Sequence, residues 1–256
     1  MKIIPTAAAF AALSLGFLAI TPASWAATAS PAPKPSTTAT PYWTVGRNDA
    51  IITARDRTSK VWADIVHGSI GETYYPNINT ADSRLIELVV VHNGAATPVS
   101  RMQHRYRWTR QKALAVTIIN NPANHSYQLD ETVFTNPRTN ALVLQYQLKI
   151  LSGSPNGYQL YIFSNPHLNN QGTNNRGYVA NSHGQSILMA QNGPVSSAIA
   201  SRSGFTQTSI GYMGSNDGLT QLLKNRTVAS YGSADGNIGE TGELTVLMDL
   251  SKIDHR

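Results

Sequence analysis

Three observations predict an all-β fold, a large β-sandwich. Apolar residues recur with period two or in short continuous runs. Clusters of Gly, Asn and Ser separate those runs. Helical periodicity is confined to one short stretch, and no internal repeat at a fixed period shows.

The first residues read as an address rather than as structure. Lys2 supplies a minimal positive start, Ala7 to Ile20 is an apolar run, Pro22 breaks it, and Ser24-Trp25-Ala26 precedes a cleavage point after Ala26. That layout predicts a secretory signal peptide over residues 1–26. The apolar run is shorter than the ~20 residues a membrane span needs. The expectation is a bacterial protein exported to the periplasm or medium, with no membrane attachment once the signal is cleaved. Residues 27–40 are small, polar and proline-rich, which predicts a flexible linker. The folded domain is then expected over residues 41–256, a length that suits one large sandwich.

Strand signals fill that domain. Leu85 to Val91 is apolar except for Glu87 and ends at the turn pair Asn93-Gly94. Ala115 to Ile119 is rich in β-branched residues and stops at Asn120-Asn121-Pro122. Ala141 to Leu151 alternates cleanly, and Ser152 to Gly157 separates it from Tyr158 to Phe163, which predicts a hairpin. Ser186 to Met189, Ala198 to Ser201, Phe205 to Ile210 and Glu243 to Leu250 are further short runs. The one helical stretch is Asn216 to Asn225, where Asn216 or Asp217 is placed to cap a helix carrying Leu219, Leu222 and Leu223.

Composition narrows the function. There is no cysteine, which excludes disulfides, thiolate metal sites and cysteine nucleophiles. The formal net charge is +6. Its densest cluster is Arg101, His104, Arg105, Arg107, Arg110 and Lys112. Period two puts Met102, His104, Tyr106 and Trp108 on one side and the arginines on the other, a half-buried strand with a solvated basic face. Nothing else suggests a nucleic-acid module, so no nucleic-acid partner is expected.

Several segments, in order, resemble one known family. Ser59-Lys60-Val61-Trp62 leads to Gly68-Ser69-Ile70-Gly71-Glu72-Thr73-Tyr74-Tyr75-Pro76, and Asp82 and Arg84 follow. Asn165-Pro166-His167-Leu168-Asn169-Asn170-Gln171-Gly172 forms a second block. The third is Ile210-Gly211-Tyr212-Met213-Gly214-Ser215-Asn216-Asp217-Gly218, followed by Asp235-Gly236-Asn237-Ile238 and Gly242-Glu243-Leu244. Together they resemble the N-terminal, glucodextranase-N-type domain of bacterial glucoamylases and glucodextranases of glycoside hydrolase family fifteen. The resemblance implies a supersandwich of the galactose-mutarotase-like type. It also implies a partner, an (α/α) barrel in cis or in trans that hydrolyses α-glucosidic bonds. The family's catalytic carboxylates lie in that barrel, so the expectation is a chain with no catalytic residues and no required cofactor.

The residues leave other chemistries to weigh. Inverting glycoside hydrolysis needs two carboxyl groups about 6.5–9.5 Å apart, and the glutamates are Glu72, Glu87, Glu131, Glu240 and Glu243. Glu72 is the most interesting, between Gly71 and Tyr74. A mutarotase needs a carboxylate base and a histidine acid across a sugar ring, and His167 has the best claim of seven histidines. No histidine pair has zinc-ligand spacing. Asp217-Gly218 and Asp235-Gly236-Asn237 are oxygen-rich enough to be calcium candidates, with plain turn chemistry as the competing reading. Trp62, Tyr74, Tyr75 and Tyr212 are candidates for barrel-interface packing or for stacking on an oligosaccharide. Three functions stay open: a domain supporting an α-glucan-hydrolysing barrel, an independent carbohydrate-binding module, and a mutarotase-type enzyme.

Overall fold

The computed structural model describes residues 29–44, 47–54, 59–109 and 114–251. The expected signal peptide, residues 27–28 of the expected linker, and Arg110 and Lys112 of the basic cluster lie outside these.

Seventeen strands and one α-helix make up the described residues. In chain order the strands are β1 (Ala50–Thr53), β2 (Trp62–Val66), β3 (Ser69–Tyr74), β4 (Ala81–His92), β5 (Ala95–Pro98), β6 (Gln103–Trp108), β7 (Val116–Asn121), β8 (Tyr127–Thr135) and β9 (Leu142–Ile150). Then come β10 (Gln159–Pro166), β11 (Asn175–Ser182), β12 (Gln185–Asn192), β13 (Val195–Ile199), β14 (Phe205–Tyr212), α1 (Gly218–Asn225), β15 (Ser233–Gly236), β16 (Ile238–Leu244) and β17 (Met248–Asp249). They form three sheets. The largest has eight strands in the order β1-β2-β3-β4-β10-β16-β14, with β5 on β4. A five-stranded sheet runs β17-β9-β8-β7-β6, and a four-stranded sheet runs β13-β12-β11-β15. The predicted all-β sandwich is the fold observed.

The large sheet is covered on both faces, which explains its sequences. In β4, Leu88 and Val90 face Leu129, Leu148 and Ile150 of the five-stranded sheet. Their neighbours Val89 and Val91 face the other way, onto Leu222 of α1 and Val228. A strand buried on both faces reads as a continuous apolar run, not an alternating one. β10 behaves likewise: Leu160 and Ile162 pack toward the five-stranded sheet and Tyr161 toward α1. Ile52, Ile65 and Ile70 meet Val116, Ile118 and Val133 at one end of the sandwich. Leu188 and Ala190 of the four-stranded sheet meet Ile210 and Ile238 at the other.

The Asn93-Gly94 pair turns β4 into β5 with positive φ at both residues, 49° and 70°. That is the turn such a pair favours, because its twist matches the strands it joins.

Three expectations are corrected. The hairpin expected between Ala141–Leu151 and Tyr158–Phe163 does not form, because β9 pairs with β8 and β17 whereas β10 pairs with β4 and β16. The Gly- and Ser-rich connection crosses from one sheet to the other. Hydrophobic pattern and turn residues are the same for a crossing as for a hairpin, so the sequence does not separate them.

The basic strand is more open than predicted. β6 is the edge of its sheet, and Tyr106 and Trp108 are exposed on the side expected to be half-buried. Tyr106 instead uses its hydroxyl, donating to Asp49 and accepting from the Gly68 N–H.

The linker is laid down on the domain from Ser30 onward. Ala32 is only 6% exposed. Its N–H donates to the Ser233 carbonyl at 2.8 Å, and the Gly232 N–H donates to the Ser30 carbonyl at 2.9 Å. Asn216 and Asn237 donate to the carbonyls of Pro33 and Ala39. β15 is the end strand of its sheet and offers unpaired backbone groups. A proline-rich segment is already extended, so it loses little freedom in covering that edge.

Candidate functional site

An open groove of about 1080 Å³ runs where the three sheets meet. Ile70, Ile86, Ile162 and Leu244 of the large sheet give it an apolar surface, together with Leu144 of β9 and Ile199 of β13. Polar groups reach it from each sheet: Thr73, Ser83 and Ser164 from the large sheet, Gln145 and Tyr146 from β9, and Ser196 and Ser197 from β13. Thr73 and Ser83 lie opposite one another on β3 and β4 with their hydroxyls 2.8 Å apart.

The seven sequence-predicted residues do not form one site. Tyr74 and Tyr75 line the groove, and Tyr75 is 38% exposed at its mouth. Trp62 lies on β2 directly across from Tyr74. Glu72 belongs to a small acidic cluster beside them. It accepts from the Tyr74 hydroxyl at 2.9 Å, and its N–H donates to Asp64 Oδ1 at 2.5 Å. Burial, with the neighbouring Glu72 carboxylate adding to it, pushes the Asp64 carboxyl up to about 6. Those bonds account for Glu72 locally.

His167 lies apart from the groove lining. It is 1% exposed, and the Trp43 ring meets it edge-on at 4.7 Å. Its backbone N–H donates to the Asp82 carbonyl, and neither ring nitrogen has a hydrogen-bond partner. Burial first, and the Arg84 guanidinium second, pull its imidazole down to about 4. Asp82 does line the groove, and one of its carboxylate oxygens accepts from the Asn169 N–H. The carboxylate-and-histidine pair facing each other across a cleft, which a mutarotase needs, is not assembled by Glu72 and His167.

Tyr212 and Asp217 belong to a structural turn. Tyr212 packs in the core with Ile210 and Ile238. Asp217 caps α1: its carboxylate accepts from the Thr220 N–H at 2.9 Å, the Thr220 hydroxyl at 2.7 Å and the Gly214 N–H at 2.7 Å. Asn216 Oδ1 accepts from the Tyr212 N–H. A Cβ at Gly211 would overlap the Asn216 backbone, and one at Gly218 would overlap Thr241. The glycines of this motif are therefore there for close approach. The turn-chemistry reading of Asp217-Gly218 fits, since the carboxylate already has three donors. Among the described residues no three His, Asp or Glu side chains gather as a metal site.

The structure adds three glutamates buried in the interior. Glu87 on β4 accepts from the Ser100 hydroxyl at 2.8 Å, and Glu131 on β8 accepts from Asn120 at 2.7 Å. Burial raises both carboxyls, that of Glu131 well above the ordinary range of an acid, and the Glu87 charge adds to the rise at Glu131. Glu240 on β16 is 1% exposed, and its Oε1 has no partner. Its cross-strand neighbour Ser164 lines the groove. Burial pushes Glu240 up to about 8, with a Ser164 hydrogen bond opposing. The sequence places Glu87 in an apolar run and Glu240 in a Gly-rich loop, whereas the structure puts Glu240 on β16; neither pattern shows whether a covering sheet lies above.

Comparison with known proteins agrees with this geometry. The glucodextranase domain N family matches residues 33–253. The glucoamylase of Clostridium sp. (strain G0005) is 33% identical over 217 residues, which is 82% of this chain and 30% of that protein. A crystal structure of a bacterial glucoamylase complexed with acarbose superposes with a TM-score of 0.79 at 32% identity, covering 85% of this chain and 32% of the other. The chain thus spans about a third of the length of the relatives it matches. By the extent of that match and the shared sandwich, this chain belongs to the glucodextranase domain N family.

Proposed function

We propose that this chain is the non-catalytic β-sandwich domain of an exported α-glucan-hydrolysing protein, working in carbohydrate metabolism beside an (α/α) catalytic barrel in cis or in trans. The observation that carries the reading is the match of the domain alone: this chain aligns over most of its length with less than a third of a glucoamylase. The geometry supports it. The large sheet is held between two other sheets and α1, Tyr42, just after the linker, lies under the Arg84 guanidinium at 4.4 Å, and the motif glycines serve packing. Among the described residues that line the groove Asp82 alone carries a carboxyl, whereas glycoside hydrolysis needs a pair. The domain's role is to present a rigid surface to the barrel, and the signal-like first 26 residues direct it out of the cytoplasm.

The test is a glucose-release assay on the purified chain with maltose, starch and dextran. The expected outcome is no release. Turnover that disappears in Glu72→Gln or Glu240→Gln would overturn the reading and favour an enzyme.

A further inference from the structure

We infer that the groove between the three sheets is a binding site for a neutral oligosaccharide, a segment of an α-linked glucan chain. The ligand class follows from the lining. Among the described lining residues only Asp82 and Arg202 carry a formal charge, one of each sign, so the lining is not biased toward an anion or a cation. Hydroxyls and amides enter from all three sheets through Ser83, Gln145 and Ser197, and from Asn140 in the turn before β9, over an apolar surface that includes Ile162 and Phe205. A wholly apolar occupant would leave those hydroxyls without partners, at a cost in free energy for each. A charged one would meet at most one opposite charge in exchange for its hydration. A pyranose presents what this lining complements: apolar C–H faces on the ring and hydroxyls around its rim.

Size and access point the same way. At about 1080 Å³ the groove is slightly larger than common ligand sites, which run from about 300 to 1,000 Å³. It suits several linked sugars rather than one. Tyr75 stands at the mouth, with its hydroxyl 3.4 Å from Asn140 Nδ2, and offers an exposed ring for a sugar face. The choice of an α-linked glucan rests on the proposed function. The neutral-oligosaccharide chemistry rests on the groove alone.

Isothermal titration calorimetry of the full chain with maltoheptaose, and with cellohexaose as the comparison, tests the inference. Saturable binding of maltoheptaose in preference to cellohexaose is expected. Tyr75→Ala removes the exposed ring and Ser197→Trp fills the groove from β13. Each should weaken binding at least about tenfold, a loss of about 1.4 kcal/mol, while the melting temperature stays near that of the parent. Trp108→Ala, on the distant β6 edge, should bind as the parent does. Absence of binding by the folded chain, equal binding of both sugars, or unchanged affinity in both groove variants would overturn the inference. Sedimentation of the Ser197→Trp variant with a glucoamylase barrel reads the domain function separately, because Ser197 is not among the residues weighed for barrel packing.

Discussion

Glu240→Gln should make the domain more stable at alkaline pH while leaving it nearly unchanged in acid. Glu240 is buried beneath the groove beside Ser164, and burial holds its carboxyl up to about 8. In the unfolded chain it titrates as an ordinary glutamate. The folded form therefore keeps a proton that the unfolded form gives up. The resulting stability is fully present below the unfolded value, near 4.5, and is lost as pH rises through the folded value of about 8. At about 1.4 kcal/mol per pH unit, the whole loss is on the order of 5 kcal/mol. Glutamine has the same shape and no proton to lose. Urea unfolding of parent and variant at pH 4.5, 6, 7.5 and 9 reads the difference directly. Near pH 4.5 the variant should match the parent to within about 1–2 kcal/mol, the value of a rearranged hydrogen bond. By pH 9 it should be more stable by several kcal/mol. Asp64, Glu87 and Glu131 also titrate in this direction, but they are common to both proteins and cancel in the comparison. Parallel pH profiles for parent and variant would refute the reasoning.

The remaining predictions use other parts of the fold. His167 is held down to about 4 by burial, so its stability is present above an ordinary histidine value and lost as pH falls toward 4. His167→Leu should therefore compare better with the parent at pH 4 than at pH 7 in the same unfolding assay. Asp217→Ala removes the α1 cap and leaves the Gly214 N–H without its acceptor, which should cost about 2–3 kcal/mol. Asp217→Asn should recover part of that loss in thermal unfolding. Leu88→Ala, in the shared core of two sheets, should cost about 2–5 kcal/mol by urea unfolding. Deleting residues 1–41 should uncover the β15 edge, lowering the melting temperature and causing concentration-dependent association in light scattering.

Much of the architecture was legible because strands buried on both faces leave apolar runs. Leu85–Val91 and Tyr158–Phe163 are such runs, and they became the centre of the large sheet. The turn at Asn93-Gly94 and the short helix capped by Asp217 were legible because both depend on local chemistry. Sheet membership was not, since the link from β9 to β10 carries the same residues as a hairpin. The strap was not legible either. Its composition signals little burial of its own, and its order comes from β15 and from Asn216 and Asn237, nearly 200 residues away in sequence. The candidate site was legible only in part. Tyr74 and Tyr75 reach the groove, whereas Tyr212 and Asp217 owe their place in the motif to a turn and a cap. The opposing wall, with Gln145 of β9 and Ser197 of β13, comes from strands whose sequences carry no motif.

A domain that supports an α-glucan-hydrolysing barrel, as proposed, should bind that barrel when the two are mixed. Sedimentation velocity of the purified chain mixed with the barrel portion of the Clostridium sp. (strain G0005) glucoamylase tests it most directly. The expected result is a single faster boundary of one-to-one stoichiometry, absent when either partner is run alone. Two independent boundaries at every concentration, with the sandwich sedimenting as an unassociated monomer, would contradict it.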